Sequence, residues 1–165
     1  MIGNDIIDLA LAKKESNWKR KGFLDKIFTQ KEQLLISNAE NPEIMVWNLW
    51  SRKEAAYKIY NRETGIRAYI PMQLECFCES ETKGTVVCNE RIFHTTTTIS
   101  KDFIYTISAV ELDYFSRVQK INRNTKISKT NGIPFLIDTR TAVSITHHGR
   151  FWKGITLEQE SLKYK

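Results

Sequence analysis

Three short segments of this 165-residue chain hold residue types at spacings that could do chemistry. The first is Gly3-Asn4-Asp5-Ile6-Ile7-Asp8, in which two acids interleave with strand-forming apolar residues. Strand alternation puts Asp5 on the opposite face from Asp8, so read alone each is a surface acid near a strand end. The second is Trp50-Ser51-Arg52-Lys53-Glu54-Ala55-Ala56-Tyr57-Lys58. Glu54 and Lys58 stand one helical turn apart, in the order that favours an ion pair worth about 0.2–0.5 kcal/mol. Trp47 and Trp50 precede Glu54 on the same helical stripe. A helix whose stripe runs from aromatic to charged is suited to wall a cleft. The third is Ser144-Ile145-Thr146-His147-His148-Gly149-Arg150. In a strand Ser144, Thr146 and His148 share one face and His147 takes the other, while His147, His148 and Arg150 beside the glycine could cup a phosphate.

These segments need elements to hold them. Residues 2–9 read as a strand that opens the fold. Residues 11–26 carry Lys13, Lys14, Lys19, Arg20, Lys21 and Lys26 against Glu15 and Asp25, with Trp18 and Phe23 as aromatic anchors of a basic surface. Thr29 and Glu32 form a capping box that starts a short helix running to about residue 38. Asn41 as N-cap and Pro42 at the first helical position start a second helix, unbroken by Gly or Pro to Asn61 and ended at Gly65. After residue 67 the chain turns to Thr, Val, Ile, Tyr and Phe, predicting antiparallel strands with turns at Lys83-Gly84 and Asn89-Glu90. Residues 111–121 suggest a brief helix, and residues 116–132, basic and free of acids, suggest a mobile loop. Two last strands around TAVSITH and WKGITLE precede a short polar tail. The expectation is an α+β fold: one domain over residues 1–165, an antiparallel sheet packed against a long helix.

Composition bounds the function more loosely. Lys and Arg number 25 against 19 Asp and Glu, giving a formal charge of +6 that suits an acidic partner. With 41% hydrophobic and 27% charged residues the chain is neither disordered nor membrane-spanning, and its start lacks the basic segment of a signal peptide. Cys76, Cys78 and Cys88 form no zinc pattern and read as thiols in a reducing cytoplasm. The basic runs permit nucleic-acid binding, but no zinc, helix-turn-helix or RNA-recognition pattern supports it.

GNDI at the N-terminus, FTQKE at 28–32, WSRKEAAYK at 50–58 and VSITHHGRF at 143–151 together resemble the 4′-phosphopantetheinyl transferase superfamily. The family pattern is Gly-x-Asp, Phe-(Ser/Thr)-x-x-Glu, Trp-x-x-Lys-Glu-Ala and Ser-x-Ser-His, with Gly132-Ile133-Pro134 resembling its Gly-x-Pro element. The order of the motifs is similar to the small, single-module holo-acyl-carrier-protein synthase branch, and the length suits one such module. The resemblance implies Mg²⁺-dependent transfer of phosphopantetheine from coenzyme A to a carrier-protein serine, releasing adenosine 3′,5′-bisphosphate. It implies Asp5 and Glu54 as metal carboxylates, Glu54 also as the base, and Lys58 as the cation that offsets phosphoryl charge. Lys53, Ser144 and His147 become ligands of the coenzyme's phosphates, and Glu32 serves either the site or its helix cap. The partners implied are an acidic acyl or peptidyl carrier protein and further copies of the chain in a homo-oligomer. The rival reading is a non-catalytic relative that binds coenzyme A or a carrier. Thr146 replaces the second Ser of the motif and keeps its hydroxyl. Ile133 removes a basic residue between Gly and Pro, Ile7 stands where two-module relatives have a third acid, and His148 has no family counterpart.

Overall fold

The computed structural model describes residues 1–158, and the polar tail expected after the last strand lies outside them. The chain opens on strand β1 (Ile2–Asp8), then four helices: α1 (Leu9–Glu15), α2 (Phe23–Ile27), α3 (Gln30–Asn38) and α4 (Pro42–Thr64). Strands β2 (Glu75–Cys78), β3 (Lys83–Cys88), β4 (Arg91–Ile99) and β5 (Phe103–Ala109) follow as a meander. β5 returns the chain to β1, so the antiparallel sheet runs β1-β5-β4-β3-β2, with Asp5 opposite Thr106. A 3-10 turn (Leu112–Arg117) leads to β6 (Val118–Ile121), the hairpin β7 (Ile127–Thr130) and β8 (Ile133–Leu136), then β9 (Val143–His148) and β10 (Phe151–Leu157). β6, β10 and β9 make a second sheet.

The helix signals act as read. Thr29 and Glu32 complete the capping box of α3, Asn41 caps α4 through the Ile44 N–H, and Gly65 ends α4 at φ 73°. α4 buries Val46, Leu49, Ala56 and Ile59 against Val86, Phe93 and Ile104 of the sheet. The contact with β1 is closest at Gly3, where an added Cβ would lie 2.0 Å from the Ala55 carbonyl oxygen. Any side chain there would push the strand bearing Asp5 off the helix bearing Glu54.

Three expectations are corrected. The brief helix expected over residues 111–121 is shorter, a 3-10 helix over Leu112–Arg117, because Val118 and Ile121 enter the second sheet as β6. The basic stretch 116–132 is no loop throughout: it contributes β6 and β7, with Lys120 and Lys129 turned to solvent. The turn placed at Lys83-Gly84 falls earlier, where the Ser80 hydroxyl accepts from the Thr82 and Lys83 amides, and Gly84 pairs with Thr95 inside the sheet.

Candidate active site

Asp5 on β1 and Glu54 on α4 line a cleft of about 250 Å³, together with Trp47, Trp50, Phe23 and His147. The stripe of α4 thus walls a cleft as its sequence suggests. Asp5 is no surface acid: it is 8% exposed. Its Oδ1 accepts from Thr146 Oγ1 at 3.2 Å and lies 3.8 Å from Lys58 Nζ. Its Oδ2 is buried without a partner among the described residues, as is the Trp47 Nε1 donor. Burial pushes the Asp5 carboxyl upward against the pull of Lys58. Burial first, and then the charge of Asp5, push Glu54 up to about 7. Two buried carboxyls held above their usual range, one with a free buried oxygen, fit a hard divalent cation that prefers one or two carboxylates with water and phosphate oxygens. Among the described residues no group of three or more His, Cys, Asp or Glu gathers for a metal, so the protein's share would be these two.

Lys58 sits one turn beyond Glu54, its Nζ donating to the Asn4 carbonyl at 2.6 Å and the Ile145 carbonyl at 3.3 Å. Burial lowers its pKa, while Asp5 and Glu54 favour the ammonium. A turn further on, Arg62 donates to the carbonyls of Ile2 and Val143. The two cations therefore clip β1 to β9, two strands that share no backbone ladder. The amides on the same edge of β1 are taken up by β9 side chains: Asn4 N–H donates to Ser144 Oγ, Ile6 N–H to Thr146 Oγ1 and Asp8 N–H to His148 Nδ1. The shared face of Ser144, Thr146 and His148 is thus a row of acceptors along a strand edge.

That row redistributes several expected roles. Ser144 is fully buried and accepts from the backbone, so its hydroxyl does not face a coenzyme. Lys53 is likewise fully enclosed, 2.7 Å from Glu32 Oε2, and its Nζ also donates to the carbonyls of Ile27 and Pro71. Glu32 also accepts from the Thr29 and Cys76 amides, which gives the Phe-Thr-x-x-Glu motif a structural job. No phosphate cup forms from His148 and Arg150. The Arg150 Nε and NH2 groups both donate to Asp8, and its backbone N–H donates there too. These bonds hold the Asp8 carboxyl well below the usual carboxylate range. His147 and His148 both line the cleft, and His147 is the exposed one of the two. Gly132-Ile133-Pro134 lies in the β7–β8 hairpin and lines no part of the cleft.

Sequence reasoning missed Tyr69. Its ring packs edge-on to Trp50 and Tyr57, and its hydroxyl, close to Glu54, is held well above the usual tyrosine range by burial and that carboxylate. No periodic signal marks it, because it stands in the irregular segment after α4. Phe23 could have been found, as an aromatic anchor inside a basic run.

Two carboxylates that share one cleft, with a lysine beside one of them, suit phosphoryl transfer. The sequence model described as the 4′-phosphopantetheinyl transferase superfamily matches residues 1–108, and the chain belongs to that family, as an enzyme of the holo-acyl-carrier-protein synthase type. The holo-[acyl-carrier-protein] synthase of Fusobacterium nucleatum is 34% identical over 91 residues, 55% of this chain and 71% of its own. The fold is similar to that of the Helicobacter pylori synthase solved with coenzyme A, at TM-score 0.53 and 15% identity over 66% of this chain and 98% of that one. It is also similar to the Thermotoga maritima synthase, at TM-score 0.52 and 14% identity over 94% of this chain and 81% of that one.

Proposed function

We propose that this enzyme transfers 4′-phosphopantetheine from coenzyme A to a serine hydroxyl of an apo acyl or peptidyl carrier protein, with Mg²⁺, releasing adenosine 3′,5′-bisphosphate. The observation that carries this reading is the unpartnered Asp5 Oδ2 in a cleft shared with Glu54 and His147. Asp5 and Glu54 would hold Mg²⁺, which when bound neutralises charge on the coenzyme's pyrophosphate. The serine oxygen bonds to the phosphorus that bears pantetheine, the bond from that phosphorus to the adenosine bisphosphate breaks, and Glu54 takes the serine proton. Lys58, already beside Asp5, offsets charge on the transferring group. His147, exposed at the cleft, binds phosphate oxygens. Lys53 and Ser144 hold the architecture.

Other features support the wider reading. The six cations of residues 13–26 are all exposed, as an acidic carrier would need. Cys76, Cys78 and Cys88 are free thiols, in keeping with a reducing cytoplasm. No helix among the described residues is long and apolar enough to cross a membrane. Phe77 and Ile92 stand exposed on the sheet face away from α4, which gives a homo-oligomer an apolar contact.

The test is incubation with coenzyme A, Mg²⁺ and a panel of apo-carriers, followed by weighing of the products. One carrier should gain the mass of a single phosphopantetheine group, and Glu54→Ala should slow that gain by about 10²–10⁴-fold. Coenzyme A binding with no mass gain on any carrier would leave the non-catalytic reading in its place.

A further inference from the structure

A second cleft, of about 580 Å³, opens on the face of the five-stranded sheet that α4 does not cover. The register places Phe103 opposite Asp8 and Tyr105 opposite Ile6, so both rings point to that face, whereas Gly3 faces α4. β10 brings Lys153 over these rings and Trp152 to the wall of the cleft, and β6 with its following turn brings Lys120 and Arg123. Asn4, wholly buried beneath, ties the layers by donating from Nδ2 to the Tyr105 hydroxyl and the Lys153 carbonyl.

The charge of this cleft is one-sided. Its lining includes no Asp or Glu, and Lys120, Arg123 and Lys153 make no ion pair among the described residues. Lys153 Nζ stands 5.8 Å from the Phe103 ring centre and 5.9 Å from that of Tyr105, within range of a cation–π contact. A half-enclosed volume lined by three aromatic side chains and three cations without ion-pair partners calls for a ligand that is flat at one end and anionic at the other. The Asp5–Glu54 cleft has the opposite character, two carboxylates awaiting a cation. Lys120, Arg123, Trp152 and Lys153 all fall outside residues 1–108, the part that the family match covers.

We propose that this cleft is a second ligand site for a nucleoside monophosphate, its base against Phe103, Tyr105 and Trp152 and its phosphate at Lys120, Arg123 and Lys153. The site goes beyond the transferase reading and does not depend on it, since such a nucleotide has no pantetheine to transfer. The shared chemistry, an aromatic base with phosphate, belongs both to a free nucleotide and to the nucleotide half of coenzyme A.

The test is calorimetric titration of the full chain with adenosine 5′-monophosphate in metal-free buffer. The wild type and Glu54→Gln should each bind one equivalent. Arg123→Ser and Lys153→Met should bind about tenfold more weakly or worse, and adenosine or inorganic phosphate alone should be weaker than the nucleotide. Arg123 is exposed at the cleft, so its replacement leaves the core intact, and thermal melting checks both variants. Coenzyme A competing for the site would name its nucleotide half as the source, and no competition would name a free nucleotide. No binding by the wild type, or binding undiminished in both variants, overturns the proposal. So does binding lost in Glu54→Gln, which would place the nucleotide in the other cleft. Inorganic phosphate binding as tightly as the nucleotide would overturn the role of the aromatic wall.

Discussion

Lys53 and Glu32 sit 2.7 Å apart with both side chains fully enclosed, and each N–H of the ammonium has an oxygen to meet. Such a pair contributes little net stability while both partners stand, but removing one strands a buried charge. Lys53→Met should therefore cost about 3–5 kcal/mol in urea unfolding, and adding Glu32→Gln should recover part of that loss. If Lys53 instead bound coenzyme phosphates, the variant would keep its stability and lose coenzyme affinity. Asp8 gives a second test, through pH. Its carboxyl is held well below the usual range by Arg150, so its contribution to stability is fully present above the unfolded pKa of about 3.9 and fades as pH falls through the folded value. Arg150→Ala should lower the melting temperature by a constant amount above about pH 5, and the gap to wild type should close in stronger acid. Circular dichroism melts across that range would show it, and a gap independent of pH would contradict it.

At the scale of elements, the site depends on a seam between strands that do not pair. Along one edge of β1 the Asn4, Ile6 and Asp8 amides meet Ser144, Thr146 and His148, and the Ile2 and Asn4 carbonyls meet Arg62 and Lys58. An edge strand buried without such partners would leave each amide unsatisfied, at about 1–3 kcal/mol apiece. Ser144→Ala and Thr146→Val should each cost that much, and hydrogen exchange should speed at Asn4 in the first and at Ile6 in the second. Thr146→Val also removes the hydroxyl that donates to Asp5 Oδ1, so its effect should reach catalysis, which Ser144→Ala would touch less. Equal exchange in both variants and wild type would show that the hydroxyls do not hold the seam.

Across the whole molecule, two groups of cations stand out. Lys13, Lys14, Lys19, Arg20, Lys21 and Lys26 lie exposed on and between α1 and α2, and Arg20 stacks on Phe23, which lines the Asp5–Glu54 cleft. A carrier protein docked there would deliver its serine beside the carboxylates. Reversing charge at Arg20 and Lys21 should weaken carrier binding by about tenfold while coenzyme A binding persists. Loss of both together would refute the docking role. The other positive region frames the second cleft, on the far face of the sheet.

Much of this molecule was legible along the chain. The limits of α3 and α4 follow from Thr29, Asn41, Pro42 and Gly65, because capping and backbone freedom act within a few residues. Alternation likewise put Ser144, Thr146 and His148 on one face. What those residues meet was not legible, since a hydroxyl that binds a phosphate and one that satisfies a strand edge have the same spacing. β6 read as loop for a related reason: its four residues form a strand only because β10 lies alongside to pair with it. The sequence by itself determined the limits of α3 and α4, the alternation of the strands and which motifs the chain carries, all effects of short range. Only the tertiary structure decided that Lys53, Ser144 and Arg150 are enclosed or tied within the fold while Asp5, Glu54 and His147 share a cleft. Burial and partnership depend on what distant segments bring, and the same cation, hydroxyl or carboxylate is structural or reactive according to whether its bonds are already filled.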